Sequence, residues 1–358
     1  MMPTRPPIAG ASLGVICALL VAVAAQAPPI ANAQLTRQPG AQLASTFDSL
    51  LKVQTGARWI GYNVPAVRGE RGTMVSGDAE CCTSCRLERS SGRRAQTPPE
   101  GRTAAIRLEP SDEMAVLFRA VGNRVERVRI FPAHCELDAG GLPVVWLDDV
   151  RPPDSIALLE SLTAAEGDAG SRVRDGAISA IALHADSAAD ASLERLTSAS
   201  RSPSVRKKVA FWLGQARGAR GLERLRQLLR DDPSLDVRKS AVFGVAQSTA
   251  PGALDELIAT ARSHSEPAVR AQAIFWLGQK AGRKAAEAIT ERIAQDPDTE
   301  VKKRAVFALS QLPKDEGVPL LIKVARTNSN LAVRKQAMFW LGQSRDPRAI
   351  DFFSEILK

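Results

Sequence analysis

Three thiols stand close together at Cys81, Cys82 and Cys85, and a fourth, Cys135, follows His134. Two cysteines separated by two residues, with another cysteine and a histidine farther along, form a ligand set that zinc could use. An even number of thiols is also a disulfide framework, once Cys17 is set aside within an apolar leader. Adjacent Cys81 and Cys82 would close a strained ring if bonded to each other. One of them is therefore expected to reach Cys135, while the other closes a short loop to Cys85. Zinc needs reduced thiolates, so the compartment decides. The N-terminus reads as an export signal. Arg5 precedes an apolar run at residues 8–27, and Ala31-Asn32-Ala33 offers small residues for cleavage, which would make Gln34 the first mature residue. An uncleaved anchor is the alternative, since the run approaches a bilayer's width. Disulfides are the expected state of the four cysteines, and zinc is the competing one.

Other covalent chemistry finds little support. His134, His184 and His264 are scattered, and no HExxH, GxSxG, glycine-rich phosphate loop or paired-carboxylate motif occurs. Asp148 and Asp149 are expected to cap or solvate the entry to a helical region. No catalytic residue, cofactor or metal is expected, and the chain is read as a non-enzyme. The formal net charge of +9 favours an acidic partner.

A second constellation is written five times. VRKKVAFWLGQ begins at Val205, VRKSAVFGVAQ at Val237, VRAQAIFWLGQ at Val269, VKKRAVFALSQ at Val301 and VRKQAMFWLGQ at Val333, in steps of 32 residues. On a helix turning about 100° per residue, the valine and the residues four and eight later share one face and form a core. The residues six and ten later turn away from it. Phe211, Phe243, Phe275, Phe307 and Phe339 therefore point away from the core, with Gln215, Gln247, Gln279, Gln311 and Gln343 beside them. Lys207, Lys208, Lys239, Lys303, Arg304 and Lys335 flank this column. Aromatic rings give large contact area at low entropy cost, and a glutamine amide both donates to and accepts from an extended backbone. Stacking of the phenylalanines between neighbouring helices is the other reading, and both stand at this point. Trp212, Trp276 and Trp340 fall at the edge of the core and are read as structural. A cationic column, Arg174, Arg206, Arg238, Arg270, Lys302 and Arg334, lies between core and surface.

These residues need two helices per repeat. A degenerate sixth copy, VRDGAISAIAL, begins at Val173, and a leucine-type column precedes each copy with the same period at Leu193, Leu225, Leu257, Ile289, Leu321 and Phe353. Helical hairpins with one period and no insertions predict an α-solenoid over residues 154–358, about 6.5 repeats long. Ahead of it, residues 46–150 carry strand signals. RWIGYNVPAV and PVVWLDDV read as strands, and MAVLFRAV and RVERVRIF as a hairpin with positive φ at Gly122 and Asn123. STFDSLLKVQ reads as a helix, residues 34–45 as a loose N-terminus, and residues 88–102 as a polar loop. The expected fold is mostly α: a solenoid preceded by a small α+β domain, with residues 1–33 removed as a signal.

The repeat, with its arginine after the valine and its LGQ ending, resembles the short HEAT-like repeats, also called the phycobilisome-lyase type. That resemblance implies a right-handed solenoid whose second helices line a concave surface, with the aromatic, amide and basic column as its partner-binding face. It implies a structural role for the cationic column, paired with turn carboxylates such as Asp232, Glu266 or Asp298. The expected function is a non-catalytic exported scaffold that binds a protein or an extended acidic segment. A chromophore-lyase-like accessory subunit is one alternative, and a binder of an anionic envelope polymer is another. Nucleic acid is not expected outside the cytoplasm. The mature chain is expected to be a monomer with no membrane span.

Overall fold

The computed structural model describes residues 28–53, 56–67, 85–88, 112–280 and 282–357. The apolar leader at residues 8–27, Cys81, Cys82 and most of the polar loop lie outside these.

Alternation of side chains across a pleat explains the N-terminal half. The strands are β1 (Ile30–Ala31), β2 (Leu35–Pro39), β3 (Arg58–Pro65), β4 (Cys85–Arg86), β5 (Glu113–Val121), β6 (Arg124–Pro132), β7 (Leu137–Asp138) and β8 (Val144–Asp148). Five of them form a mixed sheet in the order β2-β8-β3-β5-β6, with β2, β8 and β3 parallel and β3, β5 and β6 antiparallel. One face carries Ile60, Tyr62, Val64, Val116 and Phe118 and is covered by α1 (Leu43–Lys52), whose Phe47 meets Phe118 edge-on at 4.9 Å. The opposite face carries Trp59, Ala115, Leu117 and Trp146, and beneath it lies the short parallel sheet β1-β7-β4 with Cys85, Leu87 and Cys135.

Two details differ from the sequence reading. Residues 34–45 are not loose: β2 supplies an edge strand whose backbone pairs with β8, and α1 starts at Leu43. The hairpin turn has positive φ at Gly122 alone, at 57°, which is the pattern of a type II′ turn and needs no left-handed residue at Asn123.

Past β8 the period changes to that of helices. α2 (Pro152–Leu162) and α3 (Gly167–Leu183) begin the array, followed by α4 (Ala188–Leu196), α5 (Pro203–Ala216), α6 (Gly218–Asp231), α7 (Leu235–Gln247) and α8 (Ala253–Ser263). It continues through α9 (Pro267–Lys280), α10 (Arg283–Gln295), α11 (Thr299–Ser310), α12 (Lys314–Thr327), α13 (Leu331–Ser344) and α14 (Pro347–Ile356). The repeated helices α3, α5, α7, α9, α11 and α13 pack side by side along their lengths, whereas the even-numbered helices touch one another only sparingly. Closer spacing on one side bends the stack, so the odd-numbered row is the inner, concave one.

Sheet and solenoid share a single core. One apolar cluster runs from Leu43 through Val116 and Ile178 to Phe352. α3 lies directly on β6, where a Cβ at Gly176 would come 2.6 Å from the carbonyl oxygen of Val128. β3 runs on to pair with the end of α3, where Val67 donates to the Leu183 carbonyl and Ala185 donates to that of Pro65. At this seam Tyr62, Ser155 and His184, all fully buried, form a directed chain. His184 Nδ1 donates to the Ala180 carbonyl at 2.7 Å, so its Nε2 is the acceptor for Ser155 Oγ at 2.9 Å, and Ser155 in turn accepts from Tyr62 at 2.7 Å. No helix among the described residues is long and apolar enough to cross a membrane.

Candidate functional site

The inner row brings the repeated phenylalanines together, and the structure places them between the two sequence readings. Phe211, Phe243, Phe275 and Phe307 are half-buried, and Phe339 is 54% exposed. Their rings stack from repeat to repeat with the tryptophans interleaved. Phe211 stacks on Phe243 at 5.8 Å, Phe243 on Trp276 at 4.7 Å, Phe275 on Phe307 at 6.3 Å, and Phe307 lies 5.0 Å from Trp340. Within helices, Trp212, Trp276 and Trp340 meet Phe211, Phe275 and Phe339 edge-on at 5.0–5.2 Å. The result is one unbroken ladder of aromatic rings from Trp212 to Phe339. The Nε1 atoms of these three tryptophans are buried with no hydrogen-bond partner among the described residues.

The polar columns border this ladder. Gln215 and Gln247 are half-buried, while Gln279, Gln311 and Gln343 are exposed. Lys208 pairs with Asp175 at 3.3 Å and Lys303 with Glu300 at 2.9 Å. Lys207, Lys239, Arg304 and Lys335 have no ion-pair partner among the described residues, so their charge faces outward. A groove of about 550 Å³ crosses α7, α9 and α11, lined by Lys239, Phe275 and Arg304 together with Gln272, Asp298 and Glu300. A smaller recess of about 170 Å³ lies between α11 and α13, lined by Gln311, Gln343 and Trp340.

The cationic column faces the turns. Arg206 forks onto Asp232 at 2.7 and 3.0 Å, and Arg270 onto Asp296 at 2.8 and 2.9 Å, both pairs buried. Burial pushes the Asp296 carboxyl up, but hydrogen bonds from Arg270 and the Asp298 backbone outweigh it and leave it below the ordinary range. Arg238 lies 3.6 Å from Glu266 and donates to the Asp232 carbonyl at 2.6 Å. Arg334 and Arg174 reach the turn carbonyls of Asn328 and Ala165, and Lys302 that of Ala294 in the last turn of α10. Asp298 does not take part, because its carboxylate caps α11 by accepting from Glu300 and Val301.

A longer period runs beneath the 32-residue one, and the sequence reading passed over it. Tryptophan alternates with a small residue one place after the phenylalanine, as Trp212, Gly244, Trp276, Ala308 and Trp340. Two places farther on, Gly214, Gly278 and Gly342 alternate with Ala246 and Ser310. The structural unit is therefore two hairpins, 64 residues, with two kinds of joint. At one kind, α5 meets α7 and α9 meets α11 backbone to backbone. A Cβ at Gly214 would lie 2.0 Å from the Gly244 carbonyl oxygen, and one at Gly278 2.9 Å from that of Ala308. Each of these joints is locked by one of the forked Arg–Asp pairs. At the other kind, α7–α9 and α11–α13, a tryptophan lies over the phenylalanine of the preceding repeat.

Away from the array, Cys85 and Cys135 lie buried in the cluster beneath the sheet, and Cys81 and Cys82 are outside the described residues. No group of three or more metal-ligating side chains occurs among the described residues. Ser155 and His184 make a serine–histidine pair, but both are sealed from solvent, so no substrate can reach them.

Comparison with known proteins bears on the array. The family model for HEAT repeats matches residues 190–278, 254–315 and 286–358. A search of curated proteins finds no match. Among solved structures, the CpcE–CpcF complex of phycocyanin lyase from Nostoc sp. PCC7120 is similar at 17% identity and a TM-score of 0.34, covering 43% of this chain and 98% of that one. Human deoxyhypusine hydroxylase is similar at 19% identity and 0.25, covering 56% and 82%. A YibA structure from E. coli is similar at 18% identity and 0.34, covering 57% and 75%. The repeated arginine and the two-helix period agree with the family match, which identifies residues 190–358 of the helical array as HEAT repeats.

Proposed function

We propose that this protein is a non-catalytic, exported binding scaffold that holds an extended, acidic protein segment along its inner row. The observation that carries this reading is the unbroken aromatic ladder, bordered by glutamine amides and by cations that have no partner among the described residues. Half-open rings offer apolar contact without the cost of ordering them, since stacking already holds them in place. The outward charge of Lys207, Lys239, Arg304 and Lys335 favours carboxylates. The first repeat supports an extended occupant. In α3 the places of phenylalanine and glutamine are taken by Ser179 and Leu183, and an extended strand, β6, packs along this helix against Gly176. The sheet domain thus fills the first place on the row and leaves the remaining repeats open.

Export is part of the proposal, and oxidised cysteines go with it. Cys85 and Cys135 both stand as disulfide-bonded half-cystines, which supports the disulfide reading over zinc. Cleavage after Ala33 would remove β1, which pairs with β7, so N-terminal sequencing of exported protein bears on that boundary.

The test is fluorescence anisotropy with labelled acidic peptides of extended sequence, against an acidic polysaccharide and single-stranded DNA as competing probes. Peptide binding is expected to weaken steeply with salt and to be lost in the double variant Lys239→Glu and Arg304→Glu. Binding of the polysaccharide or DNA alone would sink the protein-segment reading, and indifference to both substitutions would move the site off the inner row.

A further inference from the structure

The lysine column of the inner row has a gap at its centre. Two residues after each repeated valine stand Lys207, Lys239, Ala271, Lys303 and Lys335. Four copies place a long cationic side chain there, and the third places a methyl group. Ala271 lies in α9, between α7 and α11, and is only partly buried. The groove of about 550 Å³ opens at this place, and Ala268, Ala271 and Gln272 line it together with Phe275. A lysine at 271 would run its four-carbon stem into that space.

The walls of the groove are charged, and the charges are not equivalent. On the α11 side, Glu300 is held by Lys303 at 2.9 Å. The Asp298 carboxylate accepts from the backbone N–H groups of Glu300 and Val301. Arg304 on that side and Lys239 on the α7 side have no ion-pair partner among the described residues. These two free cations stand one helix away from Ala271 in opposite directions, and neighbouring helices pack about 8–10 Å apart. Between them the floor is Ala268, Ala271 and the half-buried ring of Phe275, with the Gln272 amide beside it.

We propose that the gap at Ala271 is an anchor pocket for one aromatic side chain of the partner segment, with a carboxylate three residues to either side of that anchor. This deepens the reading of the inner row as a seat for an extended acidic segment, and rests on it. A cleft floored by methyl groups accepts bulk, and a ring set against Phe275 gains contact beyond the area it buries. The spacing follows from the backbone. In a β-strand, side chains three residues apart point to opposite faces. In the polyproline II conformation there are three residues per turn and a rise of about 3.1 Å, so side chains three apart share a face at about 9 Å. That distance matches the spacing of adjacent helices, so an anchor over α9 sets its flanking carboxylates over α7 and α11, beside Lys239 and Arg304. Such a backbone makes no hydrogen bonds of its own, which leaves it free for the glutamine amides. Ala271 is then the residue that sets specificity. The lysines attract charge anywhere along the row, and the gap fixes the register.

Fluorescence anisotropy on the full chain tests this. The probe is a fluorescein-labelled, proline-rich peptide with a central tryptophan and a glutamate three residues before and after it. One comparison peptide has alanine in place of the tryptophan, and another has both glutamates moved next to it. Loss of the tryptophan is expected to weaken binding about tenfold, as removal of a central aromatic anchor does. Moving the glutamates should weaken it as well. Ala271→Lys restores the column and should bring the tryptophan and alanine peptides to within about twofold of each other. Ala271→Met fills the gap without adding charge and should have the same effect. Both variants should keep the melting temperature of the parent, because four copies already carry a long side chain at this place. If the alanine peptide binds the parent as tightly as the tryptophan peptide, the anchor pocket is overturned while acidic binding stands. Binding of neither peptide overturns the underlying reading too. A tryptophan preference that survives both substitutions overturns the assignment to Ala271, and equal binding of the respaced peptide overturns the register.

Discussion

Phe243 and Phe339 occupy equivalent places and sit in different surroundings. The ring of Phe243 is held between Phe211 and Trp276, so Phe243→Ala is expected to cost about 2 kcal/mol, less than a fully buried ring would. Phe339→Ala should cost under about 1 kcal/mol, because that ring is mostly in water. Urea denaturation of the two variants compares them directly, and equal losses would mean the ladder is not a stacked unit. Gln247, Gln279 and Gln311 changed together to alanine should each leave stability within about 0.5 kcal/mol while weakening peptide binding. His184 supplies a pH dependence. Burial pushes its pKa from 6.5 down to about 4, with the hydrogen bond to Ala180 opposing in part. Below pH 6.5 the unfolded chain binds a proton that the folded chain refuses until about pH 4. Stability therefore falls as pH drops through that window, by about 3 kcal/mol at most. His184→Gln, which does not titrate, should show a shallower fall in urea midpoint between pH 7 and pH 4.5, and parallel profiles would contradict this account.

At the scale of elements, the repeat was legible because each helix buries one stripe and the stripe recurs without insertions. Val205, Val209 and Leu213 are buried as the wheel requires, and so are their equivalents in the later copies. The strands RWIGYNVP and EMAVLFRAV were legible for the same reason, since alternation assigns Trp59 and Ile60 to opposite faces. β2 was not legible. Leu-Thr-Arg-Gln-Pro has no apolar pattern, and it is a strand because its backbone completes an edge against β8. The fate of the phenylalanines could not be read from a single helix either, because angle on a wheel says nothing about the distance to the next helix. That distance is set by Gly214, Gly244 and Gly278, and the letters that encode it were in view as the alternation of tryptophan with glycine or alanine. The disagreement over Asp298 has a similar root. Asp296 and Asp298 are two residues apart in one turn, and only the backbone path decides which caps the helix and which takes the arginine.

For the molecule as a whole, the boundary near residue 152 separates periodicities but not cores. α2 and α3 are the first repeat of the array and also the cover of the sheet, with Ile156, Leu159 and Ile178 in the shared cluster. A fragment beginning at Asp154 should accordingly be helical from α5 onward but open at α2 and α3. Hydrogen exchange should show fast amides there and slow ones from α5 to α13, and uniform protection would mean that the first repeat stands without the sheet. The alternation of joints also gives the array a mechanical grain. Backbone-to-backbone joints locked by forked ion pairs resist shear, whereas a tryptophan lying over a phenylalanine can slide. Pulled from its ends, the chain should yield at the sliding joints first and lengthen in steps of one two-hairpin unit. Each step corresponds to 64 residues, or about 20 nm of extended chain, which a force trace would show as a sawtooth. A partner lying across a sliding joint would stiffen it, so its arrival could be felt along the spring.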